Sequence, residues 1–232
     1  MGVNLNERTM KEKLLVITFL ILALEVSNAQ LDNLKKEPIF TVVVDAGHGG
    51  HDPGTHDGKG RYEKNINLYV AKFFRYYMKK YAPEINVVLT REEDVFLPLG
   101  RRSLYAKISN ADLFVSVHCN HNPNKASNGA EIYIQNTTRE SAKHNLKNAV
   151  KFGLILEENL EEKLNYRSRG ILMQNFQILR ESIDFVPSVL IELGFFSNHA
   201  ESSYLNSNKG IQGLSLSITK SVMEYFSGAL SN

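Results

Sequence analysis

Phe40-Thr41-Val42-Val43-Val44 is an apolar run that does not alternate with polar residues, and it leads straight into Asp45-Ala46-Gly47-His48-Gly49-Gly50-His51-Asp52-Pro53-Gly54. A strand without alternation is buried on both faces, which belongs to a sheet covered by helices on both sides. The glycines that follow let the backbone turn sharply and let other groups approach closely. A histidine just past the end of such a strand stands where open α/β sheets place their chemistry. This one stretch therefore constrains both the fold class and the location of a site.

The rest of the chain repeats the pattern. Glu63 opens a helix in which Ile66, Tyr69, Val70, Phe73, Tyr77 and Tyr81 recur at helical spacing, giving an aromatic inner face that ends before Pro83. Ile85 to Arg91 is a second strand, and Pro98 starts a short helix through Ile108. Asp112 to His118 is a third strand and Gly129 to Gln135 a fourth. Arg139 to Leu164 reads as one long helix whose acidic residues form a solvated face. Gly170 to Gln174 is a short strand, Pro187 to Phe196 a buried strand interrupted by Glu192, and Gly210 to Phe226 a final helix packing through Ile211, Leu214, Ile218, Val222 and Tyr225. Alternating strands and helices predict a single α/β domain around a mainly parallel sheet. Right-handed crossovers gather the strand C-termini at one edge, so His48, Arg91, His118 and Glu192 can converge.

With 232 residues, 43% hydrophobic, the chain is long enough for one domain with a sizeable core. A net charge of +2 is too close to neutral to imply a nucleic-acid partner, so none is expected, and the single Cys119 excludes an intramolecular disulfide. Residues 1–29 read as a secretory signal peptide: Arg8, Lys11 and Lys13 precede the short apolar stretch Leu14 to Val26, and Ser27-Asn28-Ala29 offers a cleavage site. Met10 is an alternative start. Residues 30–37 form a short linker and 38–228 the catalytic domain. The mature protein is expected in the periplasm or outside the cell, without a membrane span.

Glu192 is the second anomaly. An unpaired charge inside Val-Leu-Ile-Glu-Leu-Gly-Phe-Phe costs several kcal/mol, so it needs a cation, a metal or a raised pKa. Arg91 and Arg180 are candidate ion-pair partners. His48 and His118, at equivalent strand ends, favour a metal, and zinc takes neutral imidazole and carboxylate ligands while keeping one position open for water. Glu63 is the natural third ligand, although an acid at a helix start also suits the dipole. His51 or His121 can replace it in a three-histidine site, with His56 and His199 weaker candidates. Cys119 points away from His118 along a strand, which argues against both ligation and a Cys/His nucleophile. No Gly-x-Ser-x-Gly elbow, P-loop or Gly-x-Gly-x-x-Gly spacing occurs.

Taken together, Asp45 to Gly54, Glu63-Lys64, Leu89-Thr90-Arg91, Ala111 to Asn120 and Ile191 to Asn198 resemble, in order and spacing, the zinc-dependent N-acetylmuramoyl-L-alanine amidases of the Amidase_3 type. The resemblance covers roughly residues 38–228. It implies a six-stranded mixed, mostly parallel sheet flanked by helices on both faces. It implies zinc (Zn2+) held by His48, Glu63 and His118, and Glu192 as the catalytic residue. It further implies a peptidoglycan substrate, cut at the amide between N-acetylmuramic acid and L-alanine of the stem peptide. Two positions depart from the pattern, Ala46 for proline and Lys107 for asparagine. Arg91, Arg102 and Asn120 are substrate-binding candidates, the arginines for an oxyanion or a stem-peptide carboxylate. Between Cys119 and Ile191 there is no room for the helical plug that blocks some relatives. No wall-binding repeat is present, so targeting falls to the groove or to a protein activator or targeting partner.

Overall fold

The computed structural model describes residues 15–23 and 40–230. The chain divides into two units, Met1–Glu37 and Pro38–Asn232. Of the first, the description covers one helix, α1, over 15–23. The expected cleavage site at Ser27-Asn28-Ala29 and the linker 30–37 lie outside the described residues. None of the described helices is long and apolar enough to cross a membrane.

The second unit runs β1 (Phe40–Ala46), α2 (Glu63–Tyr81), β2 (Ile85–Leu89), α3 (Leu99–Ile108), β3 (Leu113–Asn120), β4 (Ala130–Gln135), α4 (Lys143–Glu158), β5 (Ser168–Gln174), α5 (Gln177–Ser182), β6 (Ser188–Phe195), α6 (His199–Leu205) and α7 (Asn208–Leu230). The sheet order is β2-β1-β3-β6-β4-β5. Strands β2, β1, β3 and β6 are parallel to one another, β4 is antiparallel to β6, and β5 is parallel to β4. The expected mixed, mostly parallel six-stranded sheet is thus present. Because β4 and β5 are reversed, their beginnings lie at the same edge as the ends of β1, β3 and β6.

Alternate residues of the buried strands feed two unequal cores. Val42, Val44, Val115, Val117, Ile132, Ile134, Val189 and Ile191 pack beneath α2, α4 and α7. Val43, Phe114 and Leu190 pack with Ala106 of α3 and Ile178 and Leu179 of α5 in a smaller cluster. The last helix packs as its spacing predicts, through Ile211, Leu214, Ile218, Val222 and Tyr225.

Three expectations are corrected. The inner face of α2 is Ile66, Asn67, Leu68, Val70, Ala71, Phe74 and Met78, whereas Tyr69 and Tyr81 are exposed. The helix packs on α7 as well as on the sheet, and Tyr77 turns to α7, its hydroxyl donating to Gln212. The long helix expected over 139–164 is three pieces: a 3-10 turn at Glu140–Ala142, α4, and a π turn at Asn159–Lys163. The buried Asn159 side chain donates to the Ile155 carbonyl and to Glu224, holding the widened turn. Finally, α5 and α6 were not anticipated. For α6 the signal was present: Asn198 caps the helix by accepting from the amides of Ala200 and Glu201, the Asn-x-x-Glu start signature.

Candidate metal centre

Strand β1 delivers His48 into its loop with φ 60, a left-handed conformation that is strained for a side-chain-bearing residue. Reciprocal amide–carbonyl bonds between Gly49 and Asp52 tighten the loop, at 2.9 and 3.1 Å. Asp52 Oδ2 lies 2.8 Å from His48 Nδ1. A carboxylate there accepts from Nδ1–H and, in neutral His48, leaves the Nε2 lone pair facing inward, as in metal-binding histidines. His48 Nε2 is 3.1 Å from Glu63 Oε1. His118, from the end of β3, presents Nδ1 to the same oxygen at 3.0 Å.

The three ligand atoms lie within 4.8 Å of one another. Bonds of about 2.0–2.2 Å in a tetrahedron set ligand atoms about 3.4 Å apart, so two imidazoles around one carboxylate oxygen suit zinc with little movement. Close packing enforces the arrangement. A Cβ at Gly47 would meet the His118 ring at 2.2 Å, and one at Gly54 would lie 2.5 Å from Glu63 Oε2 and 2.7 Å from His48 Cδ2.

Glu63 is buried in a nest of donors. Its Oε1 accepts from the Cys119 amide at 3.0 Å and from Asn67 at 3.2 Å, and its Oε2 accepts from the Thr55 amide at 2.9 Å. Burial opposes its ionisation, but the hydrogen bonds and charges of His118 and His48 outweigh that and hold the carboxyl below the usual range. Burial likewise favours a neutral His48, yet Glu63 and Asp52 raise it to about 9 in the metal-free protein.

Glu192 stands beside this cluster, its residue paired in register with His118 on the neighbouring strand. Its Oε2 is buried and has no hydrogen-bond partner among the described residues. Burial pushes its carboxyl up to about 7; His118 and His48 pull it down, while the charges of Glu63 and Glu131 add to the rise. Neither suggested ion-pair partner reaches it. Arg180 donates to Asn175, and Arg91 is occupied by the loop.

The two arginine candidates for substrate are buried and committed to backbone carbonyls. Arg91 donates to Ala46, Gly47, Lys64 and Glu93. Arg102 donates to Leu97, Ala46, His48 and the buried Asp45, at 2.9 Å from the last. They shape the His48 loop rather than facing the cleft. Asn120 is half-buried and donates to Glu131 Oε2 at 2.7 Å. Among the alternative ligands, His51 stacks on Phe96, His121 bonds Thr55, His56 bonds the Gly58 amide and His199 bonds Lys59. Cys119 is buried, on the face opposite His118.

Two neighbours of the site were missed. Asp52 belongs to the glycine-rich motif after β1, whose spacing does not show which of its residues meets His48. Glu131 is buried and in register with Glu192 across β4 and β6, bonded by Asn120, Tyr133 and Arg169. Its signal was a charged residue in an otherwise apolar strand, Ala-Glu-Ile-Tyr-Ile.

Comparison with known proteins agrees with this geometry. The family model described as N-acetylmuramoyl-L-alanine amidase, Amidase_3, matches residues 42–224. The protein YqiI of Bacillus subtilis (strain 168) is 35% identical over 192 residues, spanning 82% of this chain and 87% of YqiI. N-acetylmuramoyl-L-alanine amidase LytC of the same organism is 34% identical over 180 residues, spanning 77% of this chain but only 34% of LytC. The solved catalytic domain of CwlV, an N-acetylmuramoyl-L-alanine amidase from Bacillus (Paenibacillus) polymyxa var. colistinus, superimposes with a TM-score of 0.71 at 33% identity, covering 82% of this chain and 99% of that domain. With the family model spanning nearly the whole sheet and its helices, this chain belongs to the N-acetylmuramoyl-L-alanine amidase family.

Proposed function

We propose that the family reaction, hydrolysis of the amide joining N-acetylmuramic acid to L-alanine of the peptidoglycan stem peptide, runs here on zinc held by His48, Glu63 and His118, with Glu192 as general base and acid. The observation that carries this reading is the buried, unpartnered Glu192 oxygen beside a ready-made set of three ligands. When bound, the metal supplies Lewis acidity and lowers the pKa of water. Glu192, with its carboxyl near 7, takes a proton from the attacking water and returns it to the leaving amine of L-alanine. Asp52 keeps the His48 ring in one tautomer and orientation.

Residues 1–29 direct the chain out of the cytoplasm in this reading, placing it in the cell envelope with its substrate. The segment between His118 and Glu192 holds α4, packed on β4, β5 and β6, and α5, packed on α3. Both are committed to the sheet's faces, which supports an enzyme that is active without a partner to unblock it.

The decisive experiment is digestion of purified peptidoglycan with and without a chelator, followed by mass spectrometry. An amidase frees intact stem peptides from intact glycan, and the chelator stops it. Products cut within the peptide would make the protein a zinc peptidase on the same ligand set, and chelator-resistant cleavage would remove the metal from the mechanism.

A further inference from the structure

With Arg91 and Arg102 enclosed by loop carbonyls, no residue from the sequence reading is left to meet a substrate carboxylate. The edge of the sheet supplies another. His118, Glu192 and Glu131 form a row across β3, β6 and β4, and Arg169 at the start of β5 extends it.

We propose that Arg169 anchors a carboxylate of the stem peptide, on the leaving side of the scissile amide. The proposal rests on the amidase reading of this cleft. Arg169 Nε donates to Glu131 Oε1 at 2.7 Å, and the guanidinium lies 5.3 Å from the centroid of the Phe195 ring. These two contacts restrain the group. Its Nη1 and Nη2 donate to nothing among the described residues, and the side chain keeps 36% of its exposure. A guanidinium fork held in place by one edge and one face, with its far side free, is prepared for bidentate capture of a carboxylate.

Glu131 gives the arrangement its logic. Two carboxylates directly opposite on adjacent strands repel, and Glu131 faces Glu192 in register. The fold tolerates this by giving Glu131 three donors: Arg169, Asn120 and the Tyr133 hydroxyl at 2.8 Å. What the strained pairing provides is an aimed arginine.

The spacing suits the peptide. Strands lie about 4.8 Å apart, so β5 is about 10 Å from β6, and an extended peptide advances about 3.3 Å per residue. A substrate with its scissile amide at Glu192 and its peptide crossing toward β5 brings the acidic residue after L-alanine within reach of the Arg169 side chain. In peptidoglycan that residue carries its carboxylate either free or amidated, which makes the carboxylate a point of selection.

The test uses two synthetic products, L-alanyl peptides differing only in whether this carboxylate is free or amidated, titrated calorimetrically into the zinc-loaded full chain. Wild type should bind the acid about tenfold or more tightly, as expected for a charge-assisted pair. Arg169→Gln should bring the ratio to about one, while Arg169→Lys, which keeps the charge but not the fork, retains part of it. The corresponding muropeptides should show the same preference in kcat/KM, carried by KM. Equal binding of both peptides by wild type overturns the proposal. So does an Arg169→Gln protein that weakens both peptides equally, which would make Arg169 only a counter-ion for Glu131. Because binding is read without turnover, a failure of the amidase reading appears separately, as absent or misplaced cleavage of the muropeptides.

Discussion

Glu63 and Glu192 are carboxylates that both feel the charges of His118 and His48, and their surroundings drive them in opposite directions. Around Glu63 both oxygens meet donors: Oε1 faces two imidazoles, the Cys119 amide and the Asn67 side chain, and Oε2 accepts from the Thr55 amide. Its charge is locked in, which is what an anionic metal ligand requires. Around Glu192 the buried oxygen meets no donor and Glu131 adds a like charge, so the carboxyl is pushed up to about 7, where a proton can come and go. The lesson is that donors, more than depth, separate a ligand from a proton shuttle.

The contrast can be broken most forcefully at Glu192. Glu192→Gln keeps the shape but cannot accept a proton. It should lower kcat by about 10²–10⁴-fold while zinc content per chain is unchanged. Turnover near the wild-type rate would end its assignment as the shuttle.

The next effect is on metal uptake. His48 must be neutral to bind zinc, and in the metal-free protein it holds its proton up to about pH 9. Burial lowers the His118 pKa too, but Glu63 outweighs that and raises it, so uptake below that pH releases at least one proton and apparent zinc affinity should rise at least about tenfold per pH unit from neutrality to about 9. The sign follows from the raised folded-state pKa: protons compete more strongly as pH falls. A chelator-competition series that is flat across this window would show that Glu63 and Asp52 do not hold that proton.

Asp52→Asn sharpens the same point. It removes the carboxylate that orients His48, and zinc affinity should fall about 10–100-fold at pH 7.5 with the three ligands intact. An unchanged dissociation constant would make Asp52 a loop residue only. The smallest effect is expected on the Glu192 side. Tyr133→Phe removes one of three donors from Glu131 and should cost about 1 kcal/mol in denaturant unfolding without loss of zinc.

The hydrolytic half of the cleft was legible because its residues sit at breaks in apolar strands. His48 follows β1, His118 nears the end of β3 and Glu192 interrupts β6, and such breaks stand out against Val-rich runs. Arg91 looked equally functional, since position along the strand says nothing about which carbonyls surround a guanidinium. The tyrosines of α2 misled for a related reason: periodicity finds an apolar stripe without saying which of two stripes meets the sheet. Helix α5 is only six residues long, too short for periodicity to register. Glu131 stands out as a charge in an apolar strand, but its nearness to Glu192, and that of Arg169, depends on β4 and β5 running against the rest of the sheet, and no local pattern states strand direction.

That reversal divides labour along the chain. The proposed metal ligands and Glu192 come from the parallel strands, the loop after β1 and the start of α2, whereas Glu131 and Arg169 enter from the two strands laid down the other way, joined to each other through α4. On the proposed assignment, changes along this return segment would retune which peptides are accepted while the His48, Glu63 and His118 cluster stays as it is. Within such a scaffold, selectivity can drift without putting hydrolysis at risk.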